Sequence, residues 1–136
     1  MKPVDQIVFE DGKGDCLRAC VAAILELPVE EVPNFAEDGS YINGAIQYLG
    51  SRGFVTLRVD FTGEGYDSHQ YFSCPSHYAV VCGKSPRSTP EKRKGHAVVG
   101  RAWGWSFKVD HDPHPSRAGL AGEPESVLWI FRPIAA

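Results

Sequence analysis

The sequence has no hydrophobic run long enough to cross a membrane and no large excess of charge of either sign. No apolar stretch approaches the roughly 18 residues of a transmembrane helix, and residues 1–6 lack the apolar centre of a secretory signal. The net charge of −3 and the isoelectric point near 5.9 provide no general attraction to nucleic acid or anionic lipid. We therefore expect a cytoplasmic protein that binds neither nucleic acid nor a membrane.

Internal repeats and low-complexity tracts are also missing, so the 136 residues fit a single domain, 1–136, with its own core. Helical periodicity comes first, over residues 15–27 and again after Ser40. Strand patterns follow, and the last of them is apolar enough to be central or covered on both faces. Helices followed by strands predict an α+β fold. The predicted strands are residues 54–61, 77–83, 95–102, 105–112 and 126–132.

The first predicted helix carries a single apolar stripe. Arg18 and Ala22 lie off this stripe, which predicts that both face away from the core. Pro28 ends the helix, because the residue before a proline is disfavoured in the helical region. The stripe consists of Leu17, Cys20, Val21, Ile24 and Leu25.

Cys16 lies at the start of this helix. Asp15 is a good capping residue, and Gly14 permits a sharp entry into the first turn. The backbone N–H groups at a helix start favour a thiolate, so the position predicts a lowered pKa for Cys16 and a nucleophilic role. The alternative is a small buried hydrophobic residue, because free cysteine is among the most buried residue types.

The sequence has only four cysteines, and a cytosolic setting keeps thiols reduced. Cys16 and Cys20, one helical turn apart, should both be thiols. Together with Cys74, Cys82 or a histidine they could also supply four zinc ligands. Structural zinc sites usually have close cysteine pairs at both ends of the motif, and this chain has one such pair.

His96 and Asp112 lie on two strands that flank Trp103 and Gly104 and form a predicted hairpin. If the turn is centred on Gly104, His96 lies directly opposite Asp112, and a carboxylate there could orient the imidazole. A turn centred nearer Trp103 would pair His96 with Asp110 instead. The base is therefore better defined than the acid.

Three other segments could contribute to a site. Gln6 precedes the cysteine helix, and its amide could donate a hydrogen bond to an oxyanion, although a surface amide is the simpler interpretation. The loop 84–95 is predicted to be a basic surface loop, and the proline-rich loop 113–120 to border the site. Aromatic or imidazole side chains that could wall a cleft are Tyr66, His69, Tyr71 and Phe72.

These motifs resemble the papain-like cysteine peptidases, in which a cysteine, a histidine and an aspartate or asparagine follow in this order. Residues 15–20, 95–99 and 112–113 are similar to the cysteine, histidine and Asp-Pro motifs of the bacteriocin-leader peptidase branch. Small papain-like proteins of phages and bacteria share a Gly-x-Cys-x-x-Ala-Cys motif and the patterns at 27–35 and 111–116. The resemblance covers roughly residues 3–35 and 83–120.

The resemblance implies an α+β, papain-like fold with N-terminal helices on a mainly antiparallel sheet. It also implies a thiol hydrolase for a peptide, isopeptide or amide bond in a peptide or protein, with no cofactor. Cys16 would be the nucleophile, His96 the base, Asp112 the orienting acid and Gln6 the oxyanion donor. Gln6 lies ten positions before Cys16, more than is usual in papain relatives. The alternatives are an inactive papain-like binding module and a Cys/His zinc module.

Overall fold

The computed structural model describes residues 1–61, 77–103 and 106–132. Within these ranges, two α-helices and a short 3₁₀ helix precede a five-stranded antiparallel sheet, which confirms the predicted α+β class. The helices are α1 (Cys16–Leu25), the 3₁₀ helix (Val29–Glu31) and α2 (Tyr41–Ser51). The strands are β1 (Val55–Asp60), β2 (Ala79–Lys84), β3 (Gly95–Trp103), β4 (Ser106–His111) and β5 (Ser126–Phe131).

The strands are ordered β1-β5-β2-β3-β4 across the sheet. Strand β5 pairs with β1 on one side and β2 on the other, and its residues 127–130 are buried. This confirms the interior position predicted from its apolar sequence. Strand β2 lies at the centre and joins β5 to β3, whose first residues carry His96. Strand β3, which carries His96, is therefore hydrogen-bonded to a strand that is itself paired on both sides.

Helix α1 is covered on more sides than its apolar stripe predicts. It packs against β2 and β3, and also against α2 and the 3₁₀ helix. Ala22 is completely buried, so the prediction that it faces away from the core is wrong. Arg18 is also half-buried, and its Nε donates a hydrogen bond to the Val32 carbonyl at 2.7 Å. The small side chains of this helix allow neighbours to approach it from several directions.

The β3–β4 hairpin has a different register from the one predicted. Trp103 pairs with Ser106, so the turn comprises two residues instead of centring on Gly104. Between the Gly100–Val109 and Val99–His111 pairs, β4 contains one extra residue, Asp110, which makes a bulge. The predicted direct opposition of His96 and Asp112 is therefore wrong. So is the alternative pairing with Asp110, because the ladder ends at Val99 and His111.

Two negative findings apply to the described ranges. No helix there has the length and apolar character that a membrane span requires. Nor does any group of three or more His, Cys, Asp and Glu side chains in those ranges have a metal-binding arrangement. Cys74, one of the possible zinc ligands, lies outside the described residues, as do Tyr66, His69, Tyr71 and Phe72.

Candidate active site

Cys16 is the first residue of α1, so its backbone N–H has no acceptor within the helix. Asp15 precedes it but makes no side-chain capping bond, which corrects the predicted cap. Its carboxylate Oδ1 instead accepts the backbone N–H groups of Ile7 and Val8 at 3.0 and 2.9 Å. The buried Asp15 therefore ties the N-terminal segment to the start of the cysteine helix.

Gln6 lies in this tied segment and is only 8% exposed. Its backbone N–H donates to the Pro113 carbonyl at 3.1 Å, and its side-chain Nε2 donates to the Val8 carbonyl at 3.0 Å. The amide nitrogen has a second N–H, and the buried Oε1 has no hydrogen-bond partner within the described part of the chain. Gln6 is therefore held in place with part of its hydrogen-bonding capacity unused.

His96 and Asp112 form a hydrogen-bonded pair even though they are not opposed in the ladder. His96 Nε2 lies 2.7 Å from Asp112 Oδ1, and the two residues are 5% and 4% exposed. An ionised carboxylate only accepts hydrogen bonds, so Nε2 carries the proton. In the neutral ring Nδ1 is therefore the unprotonated nitrogen, which is able to accept a proton from another group.

The Asp112 carboxylate is itself held by the loop that follows β4. Its Oδ1 accepts the His114 backbone N–H at 2.9 Å, and its Oδ2 accepts the Gly119 backbone N–H at 2.7 Å. Burial raises the pKa of Asp112, but these bonds and His96 outweigh burial and keep it below its ordinary value. Asp110 pairs with Arg101 and not with His96: both its carboxylate oxygens accept hydrogen bonds from the Arg101 guanidinium at 2.9 Å.

Cys16, Gln6 and His96 all line one cavity of about 630 Å³. Among the backbone N–H groups that lower the pKa of the Cys16 thiol, that of Ala97, the residue after His96, has the largest effect. The structure thus brings three of the four predicted site residues to the cavity wall, and Asp112 lies behind His96. The bulge at Asp110 and the loop after β4, both unforeseen, bring the carboxylate to the imidazole.

The electrostatics differ from the prediction for Cys16. Burial raises the pKa of its thiol and outweighs the lowering by the backbone N–H groups of Ala97 and Leu17. The charge of Asp15 adds a smaller increase. Burial also lowers the pKa of His96, despite the opposing effect of Asp112. Both shifts favour neutral groups, so the predicted lowering of the Cys16 pKa is wrong. Desolvation opposes charge separation, so it favours a thiol and a neutral imidazole in the free protein.

The remaining histidines and cysteines of the described ranges are placed differently. His77 packs on the Phe131 ring at 5.0 Å, and His111 Nε2 lies 3.1 Å from the Val4 carbonyl. Cys20 is a fully buried free thiol, as predicted. Cys82 is also free and lines the cavity, and burial raises its pKa to about 11.

Sequence reasoning missed the contribution of the loop 84–95. It was predicted to be a basic surface loop, yet Ser85, Arg87 and residues 92–94 line the cavity beside His96. Only the position of the loop directly before the histidine strand could have indicated this. His114 also lines the cavity, which confirms that the proline-rich loop borders the site.

Comparison with known proteins gives no match to this chain among protein-family models, curated proteins or solved structures.

Proposed function

We propose that this protein is a papain-like, cysteine-dependent hydrolase that cleaves a peptide, isopeptide or amide bond. The observation that carries the proposal is the buried His96–Asp112 pair beside the cavity that Cys16 also lines. A thiol, an imidazole and an orienting carboxylate are the groups used in nucleophilic acyl transfer. Gln6 and the Cys16 backbone N–H supply donors on the same cavity.

The raised thiol pKa and the lowered imidazole pKa favour a general-base mechanism. As the Cys16 sulfur attacks the carbonyl carbon, its proton passes to Nδ1 of His96, and the carbonyl π electrons move to oxygen. Asp112 stabilises the imidazolium that forms, through the 2.7 Å hydrogen bond to Nε2. Charge separation then occurs only when substrate has entered and a developing oxyanion is being stabilised.

The oxyanion would accept hydrogen bonds from the Cys16 backbone N–H and from the second N–H of Gln6. His96 then protonates the amine nitrogen as the C–N bond breaks, which leaves a thioester on Cys16. Water attacks the thioester, with His96 accepting its proton, and the carboxylic acid leaves while the thiol is restored. Gln6 Nε2 donates one of its two N–H groups to the Val8 carbonyl, which leaves the second for this role.

Selective alkylation tests the proposal without knowledge of the substrate. At pH 7, we expect iodoacetamide to modify Cys16 before Cys20, which is fully buried, and before Cys82, whose pKa of about 11 keeps it protonated. Peptide mapping by mass spectrometry gives the rate at each cysteine. The substitution His96→Ala should slow the reaction of Cys16 by roughly 100-fold or more, because it removes the base.

The matched control is His77→Ala, which removes an exposed imidazole that packs on Phe131. This variant should alkylate at the wild-type rate. Circular dichroism should show that both variants are folded. Preferential labelling of another cysteine, or an equal loss of rate in the two variants, would contradict the proposal.

A further inference from the structure

The cavity beside Cys16 has an uneven distribution of charge. Lys92 and Lys94 both pair with Asp11, at 3.0 and 3.2 Å, and Arg93 pairs with Glu125. Arg87 lines the same cavity, but no described carboxylate lies within salt-bridge distance of its guanidinium. Among the described cations that line the cavity, Arg87 is therefore the one without a carboxylate within salt-bridge distance.

Arg87 is held in position by neutral groups. Its backbone N–H donates to Ser85 Oγ at 3.1 Å, and the backbone N–H of Ser88 donates to the Ser85 carbonyl at 3.1 Å. The guanidinium Nη1 donates to Ser116 Oγ at 3.1 Å. A guanidinium has five N–H donors, so this single side-chain bond fixes its direction and leaves most donors for a ligand.

His114 lies on the same wall and provides a second donor. Its Nδ1 accepts the Ser116 backbone N–H at 3.0 Å and lies 2.8 Å from Ser116 Oγ. Because Nδ1 is an acceptor, the neutral ring carries its proton on Nε2. Burial lowers the pKa of His114, and the charge of Arg87 lowers it further, so the neutral form is favoured.

Both groups lie close to the reacting centre. The His114 ring contacts the His96 ring edge-on, with 6.3 Å between centroids, and it also contacts the Phe9 ring at 5.5 Å. The positive charge of Arg87 lowers the pKa of His96, which places it within electrostatic reach of the base. Ser116 connects the two donors, since it accepts from Arg87 and hydrogen-bonds to His114.

We propose that Arg87 and His114 form an anion-binding subsite, which selects peptides that carry a carboxylate next to the bond to be cleaved. This inference rests on the proposed hydrolase function and names its substrate class. A guanidinium matches the geometry of a carboxylate and can bind it through two parallel hydrogen bonds. His114 Nε2–H would add a neutral donor, and the ligand would compensate the charge of Arg87.

Two alkylating reagents of nearly equal size test the subsite. Iodoacetate carries a carboxylate and iodoacetamide does not, so the ratio of their rates at Cys16 reports recognition of the anion. We expect Arg87→Gln to lower this ratio roughly tenfold or more, because the variant loses the charge-assisted hydrogen bonds to the carboxylate of the reagent. His114→Phe should lower the ratio less, since it removes only the neutral donor.

Arg93→Gln is the matched control, because it removes the same charge from the same cavity at an ion-paired residue. It should change the ratio by less than about twofold. An unchanged ratio in Arg87→Gln, or an equal fall in Arg93→Gln, would overturn the subsite. If iodoacetamide failed to modify wild-type Cys16, that result would contradict the hydrolase proposal. An unchanged ratio with a reactive Cys16 would contradict only the anion subsite, so the two failures are distinguishable.

The source of the carboxylate can be identified by protection of Cys16 from iodoacetamide. One dipeptide would carry an aspartyl side chain and an amidated C-terminus, and the other a free C-terminus and neutral side chains. Stronger protection by the first indicates an acidic side chain, and by the second a terminal carboxylate. If neither dipeptide protected wild-type Cys16 better than a neutral amidated dipeptide, the proposed substrate class would be wrong.

Discussion

The substitution Asp112→Asn removes one negative charge from the site while preserving the size of the side chain. The carboxylate accepts three hydrogen bonds, from His96 and the His114 backbone N–H at Oδ1 and from the Gly119 backbone N–H at Oδ2. An asparagine amide has a single oxygen, which we expect to take the Oδ1 position because two donors point there. The amide nitrogen would then face the Gly119 backbone N–H, and these two donors cannot hydrogen-bond to each other.

The size of the effect follows from these contacts. The variant keeps a neutral hydrogen bond to His96 but loses the charge that stabilises the imidazolium. Hydrogen bonds to charged groups contribute about 1.5–3 kcal/mol, and about 1.4 kcal/mol corresponds to a factor of ten. We therefore expect the alkylation rate of Cys16 at pH 7 to fall roughly 10- to 100-fold, measured with iodoacetamide under pseudo-first-order conditions.

The unpaired Gly119 N–H should also reduce the free energy of unfolding, by about 1–3 kcal/mol. Urea titration measures this loss and shows whether the variant remains folded during the alkylation assay. The matched control is Asp110→Asn, two positions away, whose carboxylate bonds to Arg101 and not to His96. The control should change the alkylation rate less than about twofold. Equal rates in the two variants would refute the role of Asp112.

Three further substitutions concern stability. Burial raises the pKa of Cys82 from 9.0 to about 11, so its stabilising contribution is complete below pH 9 and is lost as pH rises towards 11. At 1.36 kcal/mol per pKa unit, Cys82→Ala should remove about 3 kcal/mol of the decrease in the free energy of unfolding between pH 9 and about 11. Urea titrations across this pH range measure the decrease, and an unchanged pH dependence in the variant would contradict the prediction. Gly100→Ala should reduce the free energy of unfolding by about 1–3 kcal/mol, because the added Cβ would lie 2.9 Å from the Lys108 carbonyl oxygen. Gly50→Ala in α2, where a Cβ meets nothing within 4 Å, should instead stabilise by up to about 1 kcal/mol in the same urea assay. Equal stabilities of the two alanine variants would show that the backbone at Gly100 is not tightly approached.

Several elements could be predicted from the sequence because their signals are local. The start of α1 at Cys16 follows from the residues around it, and proline and glycine positions delimit the other helical segments. Strand β5 was recognisable as an interior strand because its side chains are apolar on both faces. The buried side of α1 was predicted less well, since Ala22 is buried by elements that are distant in sequence.

The hairpin shows why the site could be predicted only in part. Counting from a turn assumes an uninterrupted ladder, and the extra residue at Asp110 breaks that assumption. His96 and Asp112 nevertheless meet, because the chain beyond β4 bends the carboxylate towards the imidazole and fixes it through the His114 and Gly119 N–H groups. The residue identities were therefore recognisable, whereas their geometry depended on a bulge that local propensity does not encode.

The sequence by itself determined the order of helices and strands, and it indicated which residues could form a site, because periodicity, turn residues and motif spacing are local properties. Only the tertiary structure decided the protonation tendencies of Cys16 and His96, since desolvation depends on what packs around them. It also decided that Arg87 lines the cavity without a carboxylate among the described residues, while its basic neighbours are paired. Charge compensation is a property of distances between segments far apart in the chain.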